Sequence, residues 1–106
     1  MSRALINVPA KARWGEIITL KTLISHKMES GFRYSTTGAP ITREIITTFI
    51  ATYNGEEIFR ADLTPAIAAN PFLTFHTIAT ESGRIVFTWT GDNGYSATEV
   101  ARITVE

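Results

Sequence analysis

The chain contains no cysteine among its 106 residues. That absence excludes disulfide bonds, zinc sites built on thiolates, iron–sulfur clusters and cysteine nucleophiles. It also means that cysteine usage says nothing about the redox compartment of the protein. Histidine and methionine, two other side chains that bind metals, occur only twice each.

The chain also has a formal net charge of zero. Ten lysines and arginines balance ten aspartates and glutamates, so no net field attracts nucleic acid or an anionic membrane surface. The basic residues are scattered, without the aromatic-flanked basic strip of a single-strand binder. No segment approaches the roughly 20 apolar residues of a membrane span, and the start of the chain has no apolar run of signal-peptide length. We expect neither nucleic acid nor a membrane as a partner.

The texture that is present is that of an all-β protein. Hydrophobic residues make up 44% and charged residues 19% of the chain, as in an ordinary globular domain. Segments rich in Ile, Thr, Val, Phe and Tyr alternate with clusters of Gly, Pro, Asn and Asp. The segments predicted as strands are 4–8, 16–24, 44–53, 56–61, 72–80, 84–90 and 95–105. We therefore predict a single domain over residues 1–106, an immunoglobulin-like β-sandwich of about seven strands.

Alternation within the strands predicts the core. In three strands alternation places apolar residues on a common face, and the bulk of the third set assigns that face to the core. These faces are Ile18, Leu20 and Ile24; Phe49, Ala51 and Tyr53, with Ile46 on the opposite side; and Ile85, Phe87 and Trp89. Between two of the strands, Asn54-Gly55 is the signature of a type I′ hairpin turn, which needs two positive φ angles.

Two connections, 27–42 and 62–71, are not explained by turn chemistry alone. The second, "DLTPAIAANP", is apolar for a loop and has Ile67 between alanines. A short helical turn beginning at Pro65 fits this stretch, since proline is tolerated at the first helical position. Apolar loops of this kind either cap the open end of a sandwich or contact another protein, and both interpretations stay open.

The stretch "LISHKMESGFRY" places His26, Met28 and Glu29 close together. In an extended segment His26 and Met28 point the same way, and Glu29 points the opposite way. A copper site of this type needs a thiolate, which the chain lacks. Zinc needs three or four ligands, whereas His26 and His76 are the only imidazoles. Counting ligands therefore favours packing or interface roles over a metal site.

No catalytic arrangement is evident. His76 lies by alternation on the strand face opposite Phe75, and we expect a half-buried histidine that bonds a polar neighbour. No serine stands in a Gly-x-Ser-x-Gly elbow, and the carboxylates at 56–57 begin a strand without any sign of a cleft. Arg60 and Asp62 project to one side of an extended chain, where they can pair with each other or with a partner. We predict a protein that is not an enzyme and has no cofactor.

Four stretches resemble the SoxZ family, the cysteine-free subunit of the SoxYZ sulfur carrier in thiosulfate oxidation. They are "HKMESGFR", "YNGEEIFRADLTPAIAANPFLTFHTIATESG", "FTWTGDNGYSATE" and "ITV". The family pattern His-x-Met-Glu-x-Gly falls on His26, Met28, Glu29 and Gly31, and Phe-Arg-Ala-Asp falls on residues 59–62. The resemblance covers nearly the whole chain.

The resemblance implies an immunoglobulin-like sandwich that forms a heterodimer with SoxY. In that family SoxY carries sulfur intermediates on the cysteine of a C-terminal Gly-Gly-Cys-Gly-Gly arm. A SoxZ-like chain would hold this carrier and help present its arm to other Sox enzymes, which it would meet transiently. The implied location is the periplasm, reached by export together with SoxY, which has the twin-arginine signal; a leaderless chain agrees with that expectation.

Candidate contacts with the partner fall into two groups. The apolar anchors are Met28, Phe32, Ile67, Phe72 and Phe75, and the polar orienting groups are His26, Glu29, Arg60, Asp62 and His76. The same residues could instead cap the core of the sandwich. Two further hypotheses belong to other classes: a small metal- or ligand-binding sandwich that uses His26, Met28 and His76, and a protein that forms homo-oligomers by pairing exposed strands.

Overall fold

The computed structural model describes residues 4–106, which form two β-sheets. The eight strands are β1 (Ala4–Asn7), β2 (Lys11–Ala12), β3 (Ile17–Ile24), β4 (Ile46–Tyr53), β5 (Glu56–Asp62), β6 (Phe72–Ile78), β7 (Gly83–Gly91) and β8 (Ser96–Val105), with a 3₁₀ turn at Asp92–Gly94. One sheet has three strands in the order β1-β3-β6, and the other has five in the order β2-β8-β7-β4-β5. The prediction of an immunoglobulin-like sandwich is confirmed.

The seven predicted strands are present close to their predicted bounds, and β2 is additional. This two-residue strand lies beside β8 in parallel, with Lys11 opposite Thr104 and Ala12 opposite Val105. The chain thus leaves the three-stranded sheet after β1 and joins the edge of the other sheet. Pro9 lies at this crossing, where its lack of an N–H costs no ladder bond.

Aromatic side chains fill the space between the two sheets. Phe49, Phe87 and Trp89 are at most 1% exposed, and the rings of Phe49 and Trp89 are 5.1 Å apart. Phe75 of the three-stranded sheet stacks on Phe59 of the other sheet at 4.4 Å. Full burial of such a side chain contributes about 1.5–3 kcal/mol, so this cluster joins the two sheets. The predicted core face of Ile85, Phe87 and Trp89 is confirmed, and the common faces of the other two strands are buried as well.

The prediction for Ile46 was wrong. Ile46 is fully buried, as is Phe49, although simple alternation puts them on opposite sides of β4. The pairing of β4 with β7 shifts register between Ile46 and Thr48. This irregularity turns the start of the strand, so that both side chains reach the interior.

The hairpin turn after β4 is confirmed, because Asn54 and Gly55 have φ angles of 49° and 88°. The Asn54 side chain also accepts a bond from the Arg84 N–H at 2.9 Å and donates to the Ser82 carbonyl at 3.2 Å. A Cβ atom at Gly83 would lie 1.8 Å from the Asn54 Oδ1. Glycine at this position therefore leaves the space that the asparagine needs.

A turn is present at the predicted Pro65, but it is not helical. The segment makes one turn, in which the Ile67 N–H donates to the Thr64 carbonyl at 3.0 Å, and no helical residue follows. Asn70 then adopts a φ of 56° and donates its N–H to the His26 carbonyl at 2.7 Å. This contact draws the segment toward another loop and ends any helical path. Across residues 4–106, no helix has the length and apolar character needed to span a membrane.

Candidate partner-binding surface

The three-stranded sheet has an outer face with apolar residues at both ends. Leu5 lies opposite Leu23, and Leu23 lies opposite Phe72, which makes a continuous apolar row across all three strands. At the other end Ile17 lies opposite Ile78. The exposed fractions are 57% for Leu5, 59% for Phe72, 71% for Ile17 and 54% for Ile78. We call the outward side chains of β1, β3 and β6 the outer face.

Polar residues occupy the middle of the outer face. Asn7, Lys21 and Thr74 form one row across the sheet, and Thr19 and His76 form the next. The Thr19 hydroxyl and the His76 Nδ1 lie 3.0 Å apart in a hydrogen bond. Among residues 4–106, Lys21 is the one lysine, arginine or carboxylate on this face. Exposed apolar rows on a face with little charge are typical of surfaces that contact other proteins.

Two of the predicted partner residues, Phe72 and His76, lie on the outer face. Phe75 does not, because the period of two along β6 turns it inward, where it is 5% exposed and stacks on Phe59. The expectation of a half-buried His76 is also corrected, since this residue is exposed. It does bond a polar neighbour, Thr19, as expected.

Met28 belongs to the core and offers no side-chain surface to a partner. It is 6% exposed, and its Sδ accepts a hydrogen bond from the Ile46 N–H at 3.3 Å. Its φ of 50° is in the left-handed region, and its N–H donates to the His26 Nδ1 at 2.9 Å. Met28 therefore packs the loop after β3 onto the start of β4.

His26 is buried at the end of the sandwich, where it is 8% exposed. Asn70 holds its backbone from both sides: the His26 N–H donates to Asn70 Oδ1 at 2.9 Å, and the Asn70 N–H donates to the His26 carbonyl at 2.7 Å. The imidazole packs edge-on against Tyr95 at 4.8 Å. Burial is the main cause that lowers the pKa of His26, so the ring favours its neutral form.

Residues 29–44 form a hairpin held by two isolated β-bridges, Glu29 with Glu44 and Tyr34 with Pro40. The buried Glu29 accepts a bond from Arg33 Nε at 2.9 Å, and this bond is the first cause that lowers the pKa of Glu29. Phe32 is 83% exposed. Glu29 is therefore an internal anchor of the hairpin, whereas Phe32 remains open to a partner.

At the base of this hairpin, Arg43 forms a bidentate ion pair with Asp92. Both N–O distances are 2.9 Å, and Asp92 also accepts the Ile45 N–H at 3.2 Å. The bond from Arg43 is the main cause that lowers the pKa of Asp92. The hairpin is thereby tied to the turn between β7 and β8.

The remaining candidates lie apart from the outer face. Arg60 and Asp62 are exposed on β5, in the five-stranded sheet, and alternate with the inward-facing Phe59. Arg60 pairs with Glu57 at 3.1 Å, and within residues 4–106 Asp62 forms no ion pair. Ile67 is 37% exposed in the loop before β6. The ten predicted contacts therefore do not form one surface.

The structure gives no support to a metal site shared by the two histidines. His76 pairs in register with Thr19, whereas His26 follows the far end of β3. Residues 19 to 24 alone span about 17 Å at about 3.3 Å per residue. Within the described chain, no group of three or more His, Cys, Asp or Glu side chains could hold a metal ion.

Sequence reasoning missed the other four apolar residues of the outer face: Leu5, Ile17, Leu23 and Ile78. The signal was available, because Ile17 and Leu23 alternate with the core residues of β3 and so must face outward. What the sequence did not show is the register, which aligns these residues with Leu5, Phe72 and Ile78 across the sheet.

Comparison with protein families settles the relationship. The model of the family described as "Sulphur oxidation protein SoxZ" matches residues 6–102. The chain belongs to the SoxZ family. Its membership makes it a subunit of the Sox sulfur-oxidation system, as the sequence motifs indicated. A comparison with curated proteins finds no significant match.

Solved structures with the same fold support the architecture. A superoxide reductase (neelaredoxin) from Ignicoccus hospitalis has 16% identity and a TM-score of 0.75, with 97% of this chain and 80% of that chain covered. The sulfur carrier protein SoxY from Chlorobium limicola f thiosulfatophilum has 12% identity and a TM-score of 0.68, with 97% and 78% covered. A putative superoxide reductase from Thermotoga maritima has 15% identity and a TM-score of 0.70, with 97% and 85% covered. At these identities the likeness shows the fold alone.

Proposed function

We propose that this chain is the non-catalytic subunit of a sulfur carrier complex. It binds a SoxY-type carrier subunit as a heterodimer and helps present the cysteine arm of that subunit to other Sox enzymes. The complex works in the periplasm, and this subunit is exported together with its partner. Membership of the SoxZ family supports the proposal, and the outer face is the structural observation that carries it.

The outer face has the properties of a docking surface in this proposal. Leu5, Phe72, Ile17 and Ile78 are each more than half exposed, although burial of an apolar side chain of this size is worth about 1.5–3 kcal/mol. A partner that covers both apolar rows recovers part of this free energy against the cost of association. The polar middle, with Thr19 bonded to His76, then fixes the orientation of the two proteins.

The fold of the proposed partner suits this surface. SoxY from Chlorobium limicola has the same sandwich architecture, and sheets of two sandwiches can pack face to face at about 10 Å. A sheet face without bulky charged side chains, here broken only by Lys21, accepts such packing. We therefore place the carrier subunit on the outer face.

Introducing a charge into the apolar rows tests the proposal. Phe72→Glu and Ile78→Glu put carboxylates into the buried interface, and we expect the dissociation constant for a co-expressed SoxY-type partner to rise at least about 100-fold, since an unpaired buried charge costs several kcal/mol. Titration calorimetry measures the change. Thr90→Glu, on the exposed side of β7 in the other sheet, is the matched control and should bind as wild type.

Two outcomes would contradict the proposal. One is wild-type affinity in both outer-face variants, and the other is a wild-type chain that never binds a SoxY-type protein. Light scattering of the chain alone tests for self-association. A homo-oligomer that Phe72→Glu or Ile78→Glu dissociates into monomers would mean that the outer face also pairs with itself in the absence of the partner.

A further inference from the structure

A groove separates the edges of the two sheets on one side of the sandwich. Its volume is about 940 Å³, and it runs between the start of β1, the loop that holds His26, and the first residues of β8. Four consecutive β8 residues, 96–99, line it together with Ala4 and Asn70. A strand whose consecutive residues all line one groove presents its edge to that groove.

Within residues 4–106, the β8 edge that begins in the groove and continues past it has free hydrogen-bonding groups. The Thr104 N–H donates to the Ala10 carbonyl at 2.9 Å, on the side where β2 lies. Because N–H and C=O groups alternate between the two edges of a strand, those of Thr98, Val100 and Arg102 point the same way as those of Thr104. The β2 pairing covers Thr104 and Val105 and continues only toward the end of the described chain, where the Glu106 N–H donates to the Ala12 carbonyl. Within residues 4–106, the three outward amides have no partner on that edge.

The inward side of β8 adds an acidic group with small neighbours. Glu99 is half-buried and lies on the same side of β8 as its small neighbours Ala97 and Ala101. Within residues 4–106, the Glu99 carboxylate has neither an ion pair nor a hydrogen bond. The other two charged residues of the groove, Lys27 and Glu44, neutralise each other at 2.8 Å. The groove therefore combines strand-pairing groups with one half-buried carboxylate that a cationic side chain would stabilise.

We propose that this groove receives an extended segment of a partner polypeptide, which pairs with β8 as an additional strand and places a lysine or arginine beside Glu99. The seven residues 96–102 offer about 23 Å of edge at about 3.3 Å per residue, enough for a short strand. The segment would lie in line with β2, which already pairs with the end of the same edge.

The groove also adjoins the outer face, which identifies the source of the segment. A smaller pocket lined by Leu5, Leu23, Ser25 and Asn70 lies at the apolar row, and Ser25 and Asn70 line the groove as well. A protein seated on the outer face can therefore reach the groove without a gap. The inference rests on the proposed function in this respect: the segment belongs to the partner that docks on the outer face.

Hydrogen exchange of the complex with a SoxY-type partner tests the inference. We expect the amides of Thr98, Val100 and Arg102 to exchange at least about tenfold more slowly in the complex than in the free chain, because each gains a backbone acceptor. Unchanged exchange in a complex that forms normally would overturn the inference and leave the proposed function standing. Failure of the two proteins to associate would overturn both.

Variants of β8 give an independent measure. Val100→Pro removes one outward N–H from the stretch of β8 that β2 leaves unpaired, where proline costs no ladder bond, and should weaken partner binding about tenfold and abolish the slowed exchange. Val100→Ala keeps the N–H and is the matched control. Glu99→Gln should weaken binding and reduce its dependence on salt. Equal affinities for Val100→Pro and Val100→Ala, with wild-type salt dependence in Glu99→Gln, would refute the proposed pairing.

Discussion

Phe72 and Phe75 lie on the same strand and face opposite ways, so truncation of each to alanine separates stability from binding. Phe75 is 5% exposed and stacks on Phe59 at 4.4 Å. We expect Phe75→Ala to lower the free energy of unfolding by about 3–5 kcal/mol, since it leaves a cavity between the sheets. A domain of this size is stable by only about 5–15 kcal/mol, so the loss is a large part of the total.

Phe72→Ala should have the reverse effect. Phe72 is 59% exposed, so the free chain gains little from its ring and should lose less than about 0.5 kcal/mol of stability. Binding, by contrast, buries the exposed 59% of the ring. Full burial of a phenylalanine is worth about 1.5–3 kcal/mol, so this fraction contributes about 1–2 kcal/mol to binding. The dissociation constant for a SoxY-type partner should therefore rise about five- to thirtyfold.

Urea denaturation followed by circular dichroism measures the first quantity, and titration calorimetry measures the second. With an m-value of about 2 kcal/mol per molar urea, Phe75→Ala should move the midpoint by about 2 M. If Phe75→Ala does not fold, Phe75→Leu provides a smaller loss of the same origin. Equal losses of stability in the Phe72 and Phe75 variants would refute the assignment of opposite faces.

Two further predictions concern the loops. Burial lowers the pKa of His26 below its ordinary 6.5, so the unfolded chain binds the proton more readily, and the free energy of unfolding should fall as the pH drops below about 6.5. His26→Asn, whose Oδ1 can accept the Met28 N–H, should remove this pH dependence in urea titrations between pH 7 and 5. The control His76→Asn should retain it. Arg43→Ala should speed the hydrogen exchange of residues 29–44, because it releases the hairpin from Asp92, while Arg60→Ala should leave that exchange unchanged; equal rates in the two variants would contradict the role of the Arg43 pair.

The strands could be predicted because their signals are local, whereas their order and register in the sheets could not. Alternation of Ile85, Phe87 and Trp89 identifies an inward face without any knowledge of the partner strands, and Asn54-Gly55 fixes its own turn through backbone sterics. Ile46 shows the limit of this reasoning, because the register shift beside it depends on how β4 meets β7. Likewise β2 is two residues long and has no period of its own, so only its pairing with β8 defines it.

The candidate surface was less predictable, because exposure of a loop residue depends on contacts distant in sequence. Met28 looked like a surface anchor or a ligand, but its Sδ bonds the Ile46 N–H and its φ of 50° folds it back into the core. Neither fact has a local signature, since methionine rarely adopts this conformation. Family resemblance identified the motif, and the structure assigns three of its members, His26, Met28 and Glu29, to the interior.

The outer face and the β8 groove together suggest how one partner can be held firmly and yet keep a mobile contact. A segment tethered to a protein already docked on the outer face has an effective concentration in the millimolar range when its linker is short. A strand pairing of about 0.1 mM affinity on its own would then be closed about nine-tenths of the time and still open without release of the partner. On this reasoning Val100→Pro shifts the segment to the open form, whereas Phe72→Glu separates the two proteins, so the two variants should differ in kind as well as in degree.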